Sequence, residues 1–171
     1  WIVILQPNGL LNQFLGLFGI PGPRWLTSTT WAMQGLILMS FWTVGTTMIL
    51  YLAGLQGIPT HLYEAAEIDG AGPVRRVWHV TIPMMTPTIF LTVVLGIIGS
   101  FQVFTAALIV TSGGPANSTL FVLLYLYRKA FLIFQMGYAS AIAWVLFVII
   151  LLFTVVQFAV ARRWVHYEYE D

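Results

Sequence analysis

Cysteine is absent from the 171 residues, which excludes disulfide frameworks, thiol nucleophiles and Cys-ligated zinc. Charge is almost as scarce. Seven Lys+Arg and six Asp+Glu make up 8% of the chain, against roughly 25% in an ordinary soluble domain. So few charges do not cover the surface of a soluble domain of this size. A chain that is 59% apolar is not disordered. A formal net charge of +1 supplies no basic stripe to neutralise phosphates, so no nucleic-acid partner is expected. Lysine occurs once, as Lys129, and Ala130 follows it, so a phosphate-binding loop ending Gly-Lys-Ser/Thr is missing and ATP hydrolysis by that route is excluded. His61, His79 and His166 lack metal-ligand spacing, and no metal is expected. No signal peptide is visible. What remains is an integral membrane protein.

The few charges divide the chain. Residues 25–63, 77–127 and 130–161 contain no Asp, Glu, Lys or Arg. A spanning helix needs about 20 apolar residues. The first run holds one span at 31–54, and the last holds one at 137–161. The middle run of 51 residues is cut by Ser112-Gly113-Gly114-Pro115-Ala116-Asn117-Ser118, a loop by its turn chemistry. Before that loop, 84–110 reads as a span, with Pro83 and Pro87 in its first turns. After it, 119–134 is short and carries Arg128 and Lys129, which suits a half-helix or interfacial segment. The expected architecture is an all-α integral membrane protein in one domain: three complete spans, a short half-helix, an external loop at 111–118 and a cytoplasmic helical loop at 57–83.

The first 30 residues differ. Trp1–Leu5 is apolar, begins without Met, and reads as the tail of a span that starts upstream, so the chain is expected to be a piece of a longer protein. Residues 7–30 are rich in Pro, Gly and Asn, as in an ordered extramembrane loop, with a short helix at Leu10–Leu17. Arg75, Arg76, Arg162 and Arg163 fall on one side of this topology, and Arg24, Arg128 and Lys129 on the other. The larger group marks the cytoplasmic side.

Five of the 13 charges lie within 64–76. Thr60 reads as an N-cap after Pro59, with Glu64 and Glu67 in early turns where the helix dipole favours carboxylates. Gly70 stands where a glycine ends a helix, and Pro73 opens a second short helix. Leu62, Ala65, Ala66 and Asp69 share one small, nearly smooth face. By spacing alone this is either a solvated loop helix or one that seats in another protein's groove.

Tyr63-Glu64-Ala65-Ala66-Glu67-Ile68-Asp69-Gly70-Ala71, followed by Ile82-Pro83, resembles the EAA loop of ABC importer permeases. The flanks are similar to the sugar-type branch, which includes maltose and glycerol-phosphate permeases: Leu55-Gln56-Gly57-Ile58-Pro59 before the motif, then Thr111-Ser112-Gly113-Gly114-Pro115 and Gly137-Tyr138-Ala139-Ser140-Ala141 after it. The resemblance covers essentially the whole chain, apart from the N-terminal spans of a usual permease. It implies a multi-pass protein of a bacterial or archaeal cytoplasmic membrane, surrounded by lipid. It implies a second permease subunit, two ATPase subunits that bind the ATP, an extracytoplasmic substrate-binding protein and a sugar-like substrate, with no cofactor on this chain. In that family the loop is a coupling helix that lies in a cleft of the ATPase and carries its closure to the spans. Glu64 would then make polar contacts, Ala65 and Ala66 would allow close seating, Gly70 would permit the turn, and Asp69 would hold the loop or meet the ATPase, with Ala71 and Pro83 completing the motif.

Polar groups within spans are costly and often functional. Trp42, Thr43 and Thr46 in the first span, and Ser100, Phe101 and Gln102 in the next, are the candidates to line a substrate pathway. Gln102 is the only amide of its span, and an amide among aromatics suits a sugar: hydroxyls to the amide, the ring face to Trp or Phe. Gly96 and Gly99 precede it and allow a bend or close packing. The competing reading is structural, since Ser and Thr satisfy themselves on their own helix backbone and aromatics at helical spacing pack. Gly137, Ala139, Ala141 and Ala143 form a small-residue seam for helix packing. Arg128-Lys129 is either a solvated helix end or a contact for an acidic patch on a binding protein. Two other readings of the whole remain: a permease for a non-sugar solute, and a membrane scaffold or enzyme in which 57–83 is only a loop.

Overall fold

The computed structural model describes residues 1–162; Arg163, His166 and the C-terminal acids Glu168, Glu170 and Asp171 lie outside the described residues. Every regular element among the described residues is helical. Three helices are long and apolar enough to cross a membrane: α3 (Ala32–Gln56), α5 (Pro73–Phe101) and α7 (Met136–Ala161). At 25, 29 and 26 residues, each exceeds the length needed for a hydrocarbon core of roughly 30 Å. The shorter helices are α1 (Ile2–Leu5), α2 (Leu10–Leu17), α4 (Thr60–Ile68) and α6 (Val122–Tyr127), the last continued by a wide turn over Arg128–Leu132.

The helices depart from the expected spans at places where side-chain chemistry competes with the i→i−4 ladder. α3 tightens to a 3₁₀ turn at Phe41–Thr43, where Ser40 Oγ donates to the Ile37 carbonyl and Thr43 Oγ to the Ser40 carbonyl, both at 2.7 Å. The expected second short helix at Pro73 is not separate. Pro73 stands at the first position of α5, whose wide turn at Val77–Thr81 runs from the Val77 carbonyl to the Ile82 N–H. The extra residue in that turn carries the helix past Pro83, which has no N–H for an i−4 bond. Pro87 in turn leaves the Pro83 carbonyl without its usual donor, and Thr86 Oγ fills the place at 2.7 Å. Thr60 is not an N-cap: it is the first helical residue of α4, and Pro59 holds the cap position with extended backbone.

The expected span 84–110 is also corrected. α5 ends at Phe101, the chain is irregular at Val103 and Phe104, and a separate helical segment closes with the wide turn Ala107–Thr111. The half-helix expected over 119–134 starts only at Val122, because Thr119 belongs to the loop: fully buried, its hydroxyl meets the Gly114 carbonyl at 2.8 Å and Thr111 Oγ1 at 2.7 Å.

The chain divides into two compact units. The first, Trp1–Thr43 with Gly99–Ile149, packs around Leu36, Ala107 and Leu124. Its N-terminal loop is held by Asn12, whose amide donates to the carbonyls of Pro7 and Pro23 while its oxygen accepts from Trp25 Nε1 at 2.8 Å. Arg128 is not a solvated helix end, since its guanidinium donates to the Ser112 carbonyl and reaches Asn117 Oδ1. Lys129 Nζ lies 5.6 Å and 5.5 Å from the ring centres of Tyr125 and Tyr138. The second unit, Val44–Ile98 with the chain from Ile150 onward, packs Phe90, Val94 and Ala161 together, with Phe158 edge-on to Phe90. In this unit α3 approaches α5 closely at Gly54, where an added Cβ would come within 2.6 Å of Thr88 Oγ1. Tyr51 and Thr92 join the same helices through their hydroxyls at 2.8 Å.

Candidate functional site

The residues of the EAA-like stretch come together in the second unit. α4 ends in a Schellman turn. The Ala71 N–H bonds the Ala66 carbonyl at 2.9 Å and the Gly70 N–H bonds the Glu67 carbonyl at 3.0 Å. That turn requires Gly70 in the left-handed region, at φ +76°. The chain then reverses into Pro73 and α5. Two side-chain links bind α4 to the foot of α5. Tyr63 and Thr81 share a hydroxyl–hydroxyl bond of 3.0 Å. Arg76 pairs with Glu67 at 3.1 Å and donates from Nε to the Ala71 carbonyl at 3.0 Å.

These elements border a half-open hollow of about 370 Å³. One wall is the small face of α4 with Leu62, Ala65, Ala66 and Asp69, and the other is the foot of α5 with Arg75, His79 and Val80. The small face therefore borders a concavity and is not a smooth convex surface. Glu64 is exposed and does not line the hollow, and Pro83 lies further along α5, half-buried. Tyr63, Thr81, Arg76 and His79 are the residues that sequence reasoning missed here. Tyr63 and Thr81 stand 18 positions apart with no shared periodicity, so only the chain reversal at Gly70–Pro73 brings them together.

The candidate pathway residues are distributed differently. Trp42, Thr43, Ser100, Phe101 and Gln102 belong to the first unit and Thr46 to the second. Trp42 is 79% exposed, with Trp1 edge-on at 6.1 Å, and the Thr43 hydroxyl is returned to its own helix backbone. Gln102 is exposed at the end of α5, where its N–H turns back to the Gly99 carbonyl at 3.1 Å. Its side chain thus stands at the break between α5 and the helical segment that ends at Thr111.

Such a chain is a helical multi-span membrane protein, with a short helix folded back on the foot of a spanning one. It belongs to the family of binding-protein-dependent transport system inner membrane components, whose model matches residues 2–166. It is 43% identical to a probable ABC transporter permease protein, YesP, of Bacillus subtilis, over 100% of this chain and 56% of that protein. It is 34% identical to the sn-glycerol-3-phosphate transport system permease protein UgpA of Pectobacterium atrosepticum, over 98% and 58%. Among solved structures it is similar to a chain of a bacterial alginate ABC transporter in complex with alginate pentasaccharide-bound periplasmic protein, with a TM-score of 0.84 and 26% identity, covering 95% of this chain and 57% of that one. The chain spans about half the length of the curated relatives it matches.

Proposed function

We propose that this chain forms the translocating part of a permease subunit in an ATP-driven importer that carries a sugar or related polyol across the cytoplasmic membrane. The observation that carries the reading is the folded-back helix α4, bearing Glu64-Ala65-Ala66 and turned at Gly70, with its hydroxyl and ion-pair links to the foot of α5. A push on α4 from the cytoplasmic side reaches a membrane-spanning helix through bonded contacts and not through a slack loop. Two separate ATPase subunits would supply that push and hydrolyse the ATP. A second permease would complete the pathway, and an extracytoplasmic binding protein would deliver the solute. The sugar assignment is supported by relatives described as permeases for lactose, sulfoquinovosyl glycerol and arabinooligosaccharides. Glu64 and Asp69 are the exposed acids available to the ATPase, and Gln102 at the helix interruption is the amide available to a hydroxylated solute.

The test reconstitutes the full-length permease with its partner subunits in proteoliposomes. Loaded binding protein should stimulate ATP hydrolysis and uptake together. Glu64→Lys should retain membrane insertion but lose at least tenfold in uptake per ATP hydrolysed. A chain that leaves ATPase activity unchanged in every combination is a scaffold and not a permease. A cysteine in place of Ala66, crosslinked to one in the ATPase cleft, reads the docking directly.

A further inference from the structure

The short helix α2 turns its apolar side outward. Leu10, Phe14 and Leu17, with Phe18 at the C-cap, follow at i, i+4, i+7 and i+8 and share one face, from 57% exposed at Phe14 to 82% at Leu17. The Phe14 and Phe18 rings lie edge-on there, 5.2 Å apart. The polar side is tied inward. Asn12 is bonded to Pro7, Pro23 and Trp25, and Gln13 Nε2 donates to the Asn8 carbonyl at 3.0 Å. A Cβ on Gly9 would strike the Ile4 carbonyl, and one on Gly22 the Asn12 side chain, so the segment closes on itself without slack. α2 stops at a left-handed Gly19, φ +70°, where the Ile20 N–H bonds the Leu15 carbonyl at 3.1 Å. A water-facing helix has the opposite arrangement, polar groups out and apolar groups in. Residues 1–23 also contain no Asp, Glu, Lys or Arg, so the face lacks the charged rim of a protein–protein contact.

The depth of this face identifies what covers it. The spanning helix α3 begins at Ala32, with Trp31 at its N-cap. Trp25 lies edge-on to Trp31, ring centres 5.2 Å apart, and Trp25 Nε1 donates to Asn12 Oδ1 at 2.8 Å. Tryptophans at the mouth of a span sit at the level of the lipid headgroups. The contacts Trp31–Trp25–Asn12 therefore hold α2 at the boundary between headgroups and acyl chains. An uncharged apolar stripe at that depth is the face an in-plane helix presents to lipid. We infer that α2 is an interfacial anchor, lying in the plane of the leaflet at the end of α3 away from α4. Leu10, Phe14, Leu17 and Phe18 enter the first part of the acyl region. Gly16, exposed on the reverse side with nothing within 4 Å of an added Cβ, faces water. The anchor gives the loop before α3 its own hold on the bilayer and fixes its height. The inference rests on the membrane crossing of α3 and is independent of the coupling role of α4.

The test uses the full-length permease, assembled with its partner subunits in bilayers of phosphatidylcholine and phosphatidylglycerol. Leu10→Cys, Phe14→Cys, Leu17→Cys, Phe18→Cys and Gly16→Cys are spin-labelled one at a time, in a background whose other cysteines are replaced by serine. Collisions with oxygen, which partitions into lipid, are compared with collisions with a water-soluble nickel chelate. Because all five positions are exposed, the substitutions should keep the fold, and uptake by each labelled protein verifies this. At the four apolar positions oxygen access is expected to exceed chelate access several-fold, with depths of about 5–10 Å below the phosphates. At Gly16→Cys the ratio should reverse. Chelate access at the apolar positions equal to that at Gly16→Cys would put the face in water and overturn the inference. Labels immobilised and closed to both reagents would show that protein covers the face, whether the second permease or the binding protein, and overturn it equally. Depths that rise steadily from residue 10 to residue 18, without the helical alternation at Gly16→Cys, would make α2 part of a crossing segment and not an in-plane anchor.

Discussion

Gly70 offers a quantitative test of how α4 is joined to α5. It stands at φ +76°, and nothing lies within 4 Å of the position a Cβ would take. A substitution there meets no steric neighbour, so its whole cost is the backbone conformation. For an ordinary L-residue the left-handed region costs about 1–2 kcal/mol, less for Asn, whose side chain bonds locally, and more for a β-branched residue. That is a factor of roughly 5–30 in the population of the turn. Losing the turn loosens the Ala71 N–H to Ala66 carbonyl bond of 2.9 Å and displaces the Ala71 carbonyl that holds Arg76. The expected order of coupling, read as solute transported per ATP hydrolysed in proteoliposomes, is Gly70, then Asn, then Ala, then Val. Hydrogen exchange over residues 66–76 should rise in the same order. Gly72 is the internal control. It lies two residues on, at φ −68° and ψ 168°, also with nothing near its absent Cβ, and a non-glycine residue adopts that backbone freely, so Gly72→Ala should be neutral or slightly stabilising. If Gly72→Ala costs as much as Gly70→Ala, or Gly70→Val behaves like Gly70→Asn, the backbone argument is wrong and the loop responds merely to added bulk.

Three further outcomes are expected. Gly54→Leu should lower the thermal midpoint of the purified protein, by an amount that corresponds to about 1–3 kcal/mol of overpacking, because a Cβ there would sit 2.6 Å from Thr88 Oγ1; Thr88→Ala should recover part of the loss, and no recovery would show that the helices do not meet there. Thr86→Val should cost about 1–3 kcal/mol in a denaturation series, since it leaves the Pro83 carbonyl without a donor in a buried position, whereas Thr86→Ser should cost far less. Gln102→Leu should raise the solute concentration for half-maximal uptake several-fold without altering ATPase binding, and unchanged uptake kinetics would remove Gln102 from the pathway.

Much of this molecule is decided by composition. Three charge-free runs of 39, 51 and 32 residues leave a chain with no way to cover a soluble surface, and apolar stretches of spanning length must become helices because a bilayer core offers no partner for open backbone groups. Local rules also place the end of α4. A glycine three residues after Glu67 and a proline three further on dictate a left-handed stop and a fresh helical start. What local rules missed lies where distant or competing groups intervene. The span expected at 84–110 is cut after Phe101, two residues past Gly99, where the sequence suggests a bend and not a stop, and the second helix expected at Pro73 merges with α5 through a wide turn that accommodates Pro83. The Tyr63–Thr81 bond, the Glu67–Arg76 pair and the approach of α3 to α5 at Gly54 join residues that share no periodicity. The small face of α4 is legible as a face, because i, i+3, i+4, i+7 spacing is a property of one helix. That it walls a hollow opposite Arg75 and His79 is a property of two helices, and only the reversal of the chain between them decides it.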